Sequence, residues 1–147
     1  MDLLSPSTNA DYRGAKVSVW FLGLAALGTL IPGLIHSFLP DGGAGVIGGL
    51  DMGDKRDLVI GVFRWEGATQ LALGLAMATV VLRYQSVTPL FLCLMIVERG
   101  LMAVQGWVIS PPTNGHHPPE HYGSVAAVIL GVLFVALALR ARAVDKP

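Results

Sequence analysis

Four ionisable residues interrupt stretches that are otherwise apolar. Arg64 and Glu66, followed by Gln70, lie in one stretch; Glu98 and Arg99, followed by Gln105, lie in another. A charge at the centre of a hydrocarbon layer costs about 2.5–3.5 kcal/mol even on the mildest scale. Two acids and two bases can neutralise one another, so pairing is expected. Adjacent residues on a helix point about 100° apart, so Glu98 and Arg99 are not ideal partners, and each is expected to look across to another helix. Cross-pairing of Glu66 with Arg99, and of Arg64 with Glu98, is the expected arrangement, with Gln70 extending it from the same face as Glu66. Ionisable groups within a span are functional candidates by default. Glu66 and Glu98 have the chemistry of general acids or bases, and Arg64 or Arg99 that of an anion holder. The alternative is that all four only hold helices together.

Histidines supply a second signal. His36 closes one apolar stretch, and His116, His117 and His121 cluster in the segment from Gly115 to Tyr122. His36 joins Glu66 and Glu98 as an acid–base candidate, because imidazole titrates near neutral pH. The other three are candidate metal ligands, since imidazoles beside a carboxylate can bind zinc or copper or ligate haem. His117 and His121 have helical ligand spacing, but Pro118 and Pro119 lie between them. A rigid loop at the headgroup level is the competing reading, and neither haem nor a divalent metal is singled out. Trp65 and Trp107 complete the candidate ligand-binding set with Arg64, Gln70, Arg99 and Gln105; their alternative role is interfacial anchoring.

Positioning these residues requires helices long enough to cross a bilayer. Hydrophobic residues make up 53% of the 147-residue chain and charged residues 14%, against roughly 25% charged in a soluble domain. Apolar runs at about 16–38, 58–82, 87–109 and 119–140 each meet the requirement of roughly 20 residues per span. The expectation is therefore a single all-α domain over 1–147, a four-transmembrane-helix bundle. A soluble bundle would show charged outer faces, and these helices do not. The first run is too long, and its polar lead-in too extended, for a removed signal peptide. Pro32-Gly33 is expected to kink the first helix. The short 83–86 link predicts that the second and third helices are antiparallel neighbours. Pro118-Pro119-Glu120 suits a helix start, where proline loses little and the carboxylate meets the positive end of the dipole. Ala68, Ala72 and Ala76, and likewise Gly123, Ala127 and Gly131, are spaced for close helix contact.

Charge sets the orientation and removes several function classes. Arg13, Lys16, Arg83, Arg140, Arg142 and Lys146 belong to one side, against Lys55 and Arg56 on the other. The positive-inside rule then puts both termini and the 83–86 turn in the cytoplasm. Ten basic residues balance ten acidic ones, which argues against a nucleic-acid partner. Cys93 is the only cysteine, so no intrachain disulfide forms. Phosphate-binding glycine loops, a nucleophile elbow and HExxH are all missing.

Two stretches carry a family resemblance. Gly33-Leu34-Ile35-His36-Ser37-Phe38-Leu39-Pro40 is one; Arg64-Trp65-Glu66-Gly67-Ala68-Thr69-Gln70, with Leu73-Gly74-Leu75 and Arg83-Tyr84 after it, is the other. Together they resemble the DoxX-like group of small four-helix membrane proteins, over the first two helices. The resemblance implies a bacterial inner-membrane protein, in some cases associated with membrane redox or quinone-linked complexes, and carries over no catalytic residue. Val97-Glu98-Arg99 and the segment from His116 to Tyr122 fall outside the pattern. The sequence thus leads to a homo-oligomeric inner-membrane protein that binds a lipophilic small molecule or serves as an accessory subunit of a membrane complex. The alternatives are a membrane-embedded acid–base enzyme of isomerase or hydrolase type acting on a lipophilic substrate, and a haem or metal protein.

Overall fold

The computed structural model describes residues 3–113 and 115–140. They form α1 (Lys16–Phe38), α2 (Arg56–Arg83), α3 (Thr88–Val104) and α4 (Pro119–Leu139), and no strand occurs among them. All four helices are long and apolar enough to cross a membrane. Arg142 and Lys146, used above for orientation, lie outside the described residues. The expected third span is not one regular helix: α3 passes into a π-helical turn, Gln105–Ile109. Such turns carry no strong sequence signature and occur frequently at functional sites.

Burial runs opposite to that of a soluble bundle. Leu24, Leu27 and Ile31 on α1 are exposed, as are Ile129, Val132 and Leu133 on α4, while Ser18, Thr29, Gln70, Thr88, Arg99 and Ser124 are buried. An apolar outer surface around a partly polar interior is what lipid as solvent selects. The apolar core joins Leu22 and Ala26 of α1 to Met77 and Val80 of α2, Leu92 and Met95 of α3 and Ala138 of α4. Phe21 and Phe134 stack beside it at 4.2 Å.

The helices associate as two pairs, α1 with α2 and α3 with α4, which meet chiefly along α1 and α4. Helices α2 and α3 barely touch. This corrects the expectation drawn from the 83–86 link: a short turn fixes direction, but side-chain fit decides which helices pack. At the α1–α2 crossing the backbones nearly meet. A Cβ on Gly67 would lie 2.8 Å from the Ser37 nitrogen and 2.9 Å from the Gly33 oxygen. The small residues at this contact are therefore Gly33, Gly67 and Gly74, whereas Ala68 and Ala72 are exposed. The alanine spacing was right for a helix face but selected the wrong face within this chain. On α4 the stripe divides, with Gly131 packed on Met95 and Ile96 while Gly123 and Ala127 border a cavity.

The same crossing sets the depth of the site. Gly67 packs on Gly33 and Ser37, so its neighbour Glu66 comes level with His36 near the end of α1, and the rest of α2 back to residue 56 runs roughly 16 Å past the crossing at about 1.5 Å per residue. The loop after α1 folds against this overhang, bringing Gly42 onto Phe63. Asp41 organises that loop, its carboxylate accepting bonds from the Gly43, Gly45 and Val46 amides at 2.9, 3.1 and 2.8 Å. These amides, Val46 and Gly43 foremost, hold its carboxyl below the usual carboxylate range. At the opposite end, the polar N-terminal segment straps the 83–86 turn. Arg83 Nε and the Tyr84 hydroxyl both donate to the Ser5 carbonyl, and Asn9 Nδ2 donates to Leu82.

Candidate functional site

Arg99 is the centre of the site. Its side chain is only 10% exposed, yet it faces two carboxylates: Nε is 3.2 Å from Glu98 Oε2 and Nη1 is 3.3 Å from Glu120 Oε1. Nη2 donates to Thr29 Oγ1 at 3.4 Å, while the Thr29 hydroxyl donates to Ala25 within α1. One guanidinium thus links α3 to α4 and α1, which suits its planar fork of donors.

The expected cross-pairing does not occur. Glu98 and Arg99 do pair, although the Glu98 Oε2 contact lacks hydrogen-bond geometry and leaves that oxygen without a hydrogen-bond partner. The angular offset of neighbours along a helix weakens their contact without preventing it, because the long arginine side chain folds back. Arg99 also looks across, as expected, but to Glu120 instead of Glu66. Arg64 is exposed on α2 and makes no ion pair or hydrogen bond among the described residues. Being engaged by two carboxylates, Arg99 is not a free anion holder either.

His36 lies at the other side of the site. It is 8% exposed, its Nδ1 is 2.6 Å from the Gly42 carbonyl, and Phe63 packs edge-on at 5.0 Å. A carbonyl only accepts, so neutral His36 carries its proton on Nδ1 and keeps a lone pair on Nε2. That Nε2 is buried without a hydrogen-bond partner. A ring nitrogen of His36 and carboxylate oxygens of Glu66 and Glu120 all lie within 4.8 Å of one another. Gln70, four residues along α2, donates from Nε2 to Glu66 Oε1 at 3.1 Å, as its spacing predicted.

His117 and His121 form a separate cluster. His117 stacks on Trp107 with ring centres 3.9 Å apart, and His117 Nδ1 is 2.9 Å from His121 Nδ1. The Trp107 indole donates to the His121 carbonyl at 3.2 Å. Exposed His116 sits instead against Gly49. The structure therefore does not gather His116, His117 and His121 as three ligands. Among the described residues the one group of three potential ligands is His36, Glu66 and Glu120. Trp65 and Gln105 are exposed, and Trp65 at 74% exposure suits an anchor.

A cavity of about 750 Å³ opens beside the charged residues. Ala25, Gly28, Thr29 and Pro32 of α1 and Gly123 and Ala127 of α4 border it, so small residues on facing helices create the space. His36, Arg99, Glu120 and His121 give it one polar end, and Ile47 and Leu50 of the loop help to enclose it. From the sequence, Glu120 is a helix-start residue and the carboxylate beside the 116–121 imidazoles, not a partner of Arg99 or His36, and Thr29 carries no signal. The signal for Glu120 was its place in the first turn of α4 behind two prolines, which fixes it at the same end as His36. Comparison with family models, with curated proteins and with solved structures gives no match. The fold and site alone define the class: a four-helix bundle able to span a membrane, with a charged, partly buried cavity at one end.

Proposed function

We propose that this chain is an integral membrane protein that binds a lipophilic small molecule with a polar head group. The observation that carries this reading is the cavity of about 750 Å³ with apolar walls and one polar end. Its size lies within the 300–1,000 Å³ typical of small-molecule sites, and a few convergent polar groups in an apolar wall are their usual composition. The lipophilic body would lie along Ala25, Gly28 and Pro32, and the head would approach His36, Arg99 and Glu120.

Arg13, Lys16, Arg83 and Arg140 support an orientation with both termini in the cytoplasm and the cavity toward the outer face. The resemblance to DoxX-like proteins supports a bacterial inner membrane. Exposed Ala68 and Ala72 support association of copies through α2.

The test uses open space in the cavity wall. A Cβ on Gly28 would meet nothing within 4 Å, so Gly28→Leu fills the cavity without disturbing packing. Native mass spectrometry of the protein extracted from its own membrane in mild detergent, with a chelator present, should show a bound organic molecule. Gly28→Leu should lose it with no loss of thermal stability, since a helical glycine is replaced by a better helix former. A wild-type protein without bound organic mass, or equal retention by Gly28→Leu, would refute the reading.

A further inference from the structure

We propose that His36, Glu66 and Glu120 form a site for one divalent transition-metal ion at the polar end of the cavity. Three independent features support it.

The first is the donor set. One imidazole nitrogen and two carboxylate oxygens from α1, α2 and α4 already lie within 4.8 Å of one another. Around a zinc ion, metal–ligand distances near 2.0–2.2 Å place such ligands roughly 3.3–3.5 Å apart. Small side-chain rotations, of the order of 1 Å, close the group. Nitrogen and oxygen donors without a thiolate suit zinc, manganese or ferrous iron.

The second is the state of His36. It is more than nine-tenths buried, its Nδ1 bonds the Gly42 carbonyl at 2.6 Å, and its Nε2 has no partner. A carbonyl that fixes the tautomer from one ring nitrogen is the usual outer support of a metal-ligating histidine. Without a ligand, the same geometry leaves a buried lone pair unsatisfied, with its desolvation uncompensated. Gln70 supports Glu66 in the same manner through its bond to Oε1 at 3.1 Å.

The third is charge. Glu98 and Glu120 contact a single guanidinium, Arg99, and Glu66 offers a carboxylate oxygen within 4.8 Å of one of Glu120. Arg64 is exposed and forms no ion pair with them. With all three carboxylates ionised, two formal negative charges are in excess in a half-buried site, and uncompensated buried charge is strongly disfavoured. One divalent cation removes the excess. Glu120 can serve both Arg99 and the ion, because Arg99 Nη1 contacts only its Oε1.

This inference goes beyond ligand binding by the cavity and does not require it. Full-length protein, purified in detergent and stripped with chelator, is titrated with Zn²⁺ by calorimetry and its metal content counted by mass spectrometry. One ion per chain is expected. His36→Ala and Glu120→Gln should each weaken binding at least roughly tenfold, the lower end of what even outer-shell changes cost. His117→Ala, in the neighbouring histidine cluster, should bind as wild type. Pulsed electron paramagnetic resonance of the Mn²⁺-loaded wild-type protein provides a test independent of any variant's folding, and should report a single coordinated imidazole. No stoichiometric Zn²⁺ in the wild type would overturn the proposal, as protonated carboxyls would then carry the charge balance. So would unchanged binding in both His36→Ala and Glu120→Gln, loss only in His117→Ala, or either no coupled imidazole or more than one. Because the titration uses stripped protein and the organic ligand is sought under chelation, either reading can fail without the other.

Discussion

The α1–α2 crossing makes the sharpest prediction, because a single methyl group tests how the site is assembled. In Gly67→Ala the new Cβ would sit 2.8 Å from the Ser37 nitrogen and 2.9 Å from the Gly33 oxygen, where ordinary contact begins at 3.4 Å. Both neighbours are backbone atoms and cannot rotate away, so α1 must retreat by roughly 0.5–0.6 Å. A gap of that order forfeits about a quarter of the dispersion well along the contact, and overpacking of this kind costs about 1–3 kcal/mol. Gly61→Ala on the same helix is the control, because its Cβ would meet nothing within 4 Å. Both substitutions gain the same helix propensity, up to about 1 kcal/mol. Their difference therefore isolates the overpacking cost. At about 2–4 °C per kcal/mol for a chain of this size, Gly67→Ala should melt roughly 2–12 °C below Gly61→Ala. Thermal unfolding in detergent, followed by the fluorescence of Trp20, Trp65 and Trp107, measures it. Equal melting of the two variants, or higher melting of Gly67→Ala, would refute the close backbone approach and with it the registry that brings His36 to Glu66.

Other predictions address the charges and the two ends. Arg99→Met should destabilise the bundle by about 1–3 kcal/mol, the scale of losing charged hydrogen bonds to partners that keep about 30% of their exposure, whereas Arg99→Met combined with Glu120→Gln should recover a measurable part of it; a double variant no better than the single would argue against their pairing. Asp41, held below its ordinary value in the folded loop, should stabilise that loop fully above about pH 3.9 and lose this contribution as pH falls through its lower folded value. The protection of the Gly43 and Val46 amides, taken as exchange relative to the intrinsic rate at each pH, should therefore fall on acidification in the wild type and change less in Asp41→Asn; identical protection profiles would count against the three amide bonds. Asn9→Ala, which removes the bond to Leu82 at 2.8 Å, should increase proteolysis of the N-terminal strap by an amount consistent with about 0.5–1.5 kcal/mol while leaving Zn²⁺ affinity unchanged.

Much of this protein was decided by its composition and periodicity. Four long apolar runs with few charges leave helices as the way to satisfy backbone polar groups in lipid, so the number of helices, their approximate ends and the helical class were legible in the sequence. The cost of embedded charge was legible too, but it is met by pairing only around Arg99, while Arg64 is exposed and forms no ion pair among the described residues. Partner choice was not legible. Arg99 meets Glu120 because the start of α4 lies beside the middle of α3, and Glu66 meets His36 because Gly67 of α2 packs on Gly33 and Ser37 of α1. Both are registry effects, set by how side chains and backbones fit between segments far apart in the chain. The pairing of α1 with α2 and of α3 with α4, in place of α2 with α3, has the same origin. Hydropathy fixes how deep a residue can sit in a bundle, but it carries no term for which helix stands opposite. His36 and Glu66 stood out as acid–base candidates in the sequence, but only the tertiary structure could join them to each other and to Glu120, because ligand groups are made by distance in space and not by spacing in sequence.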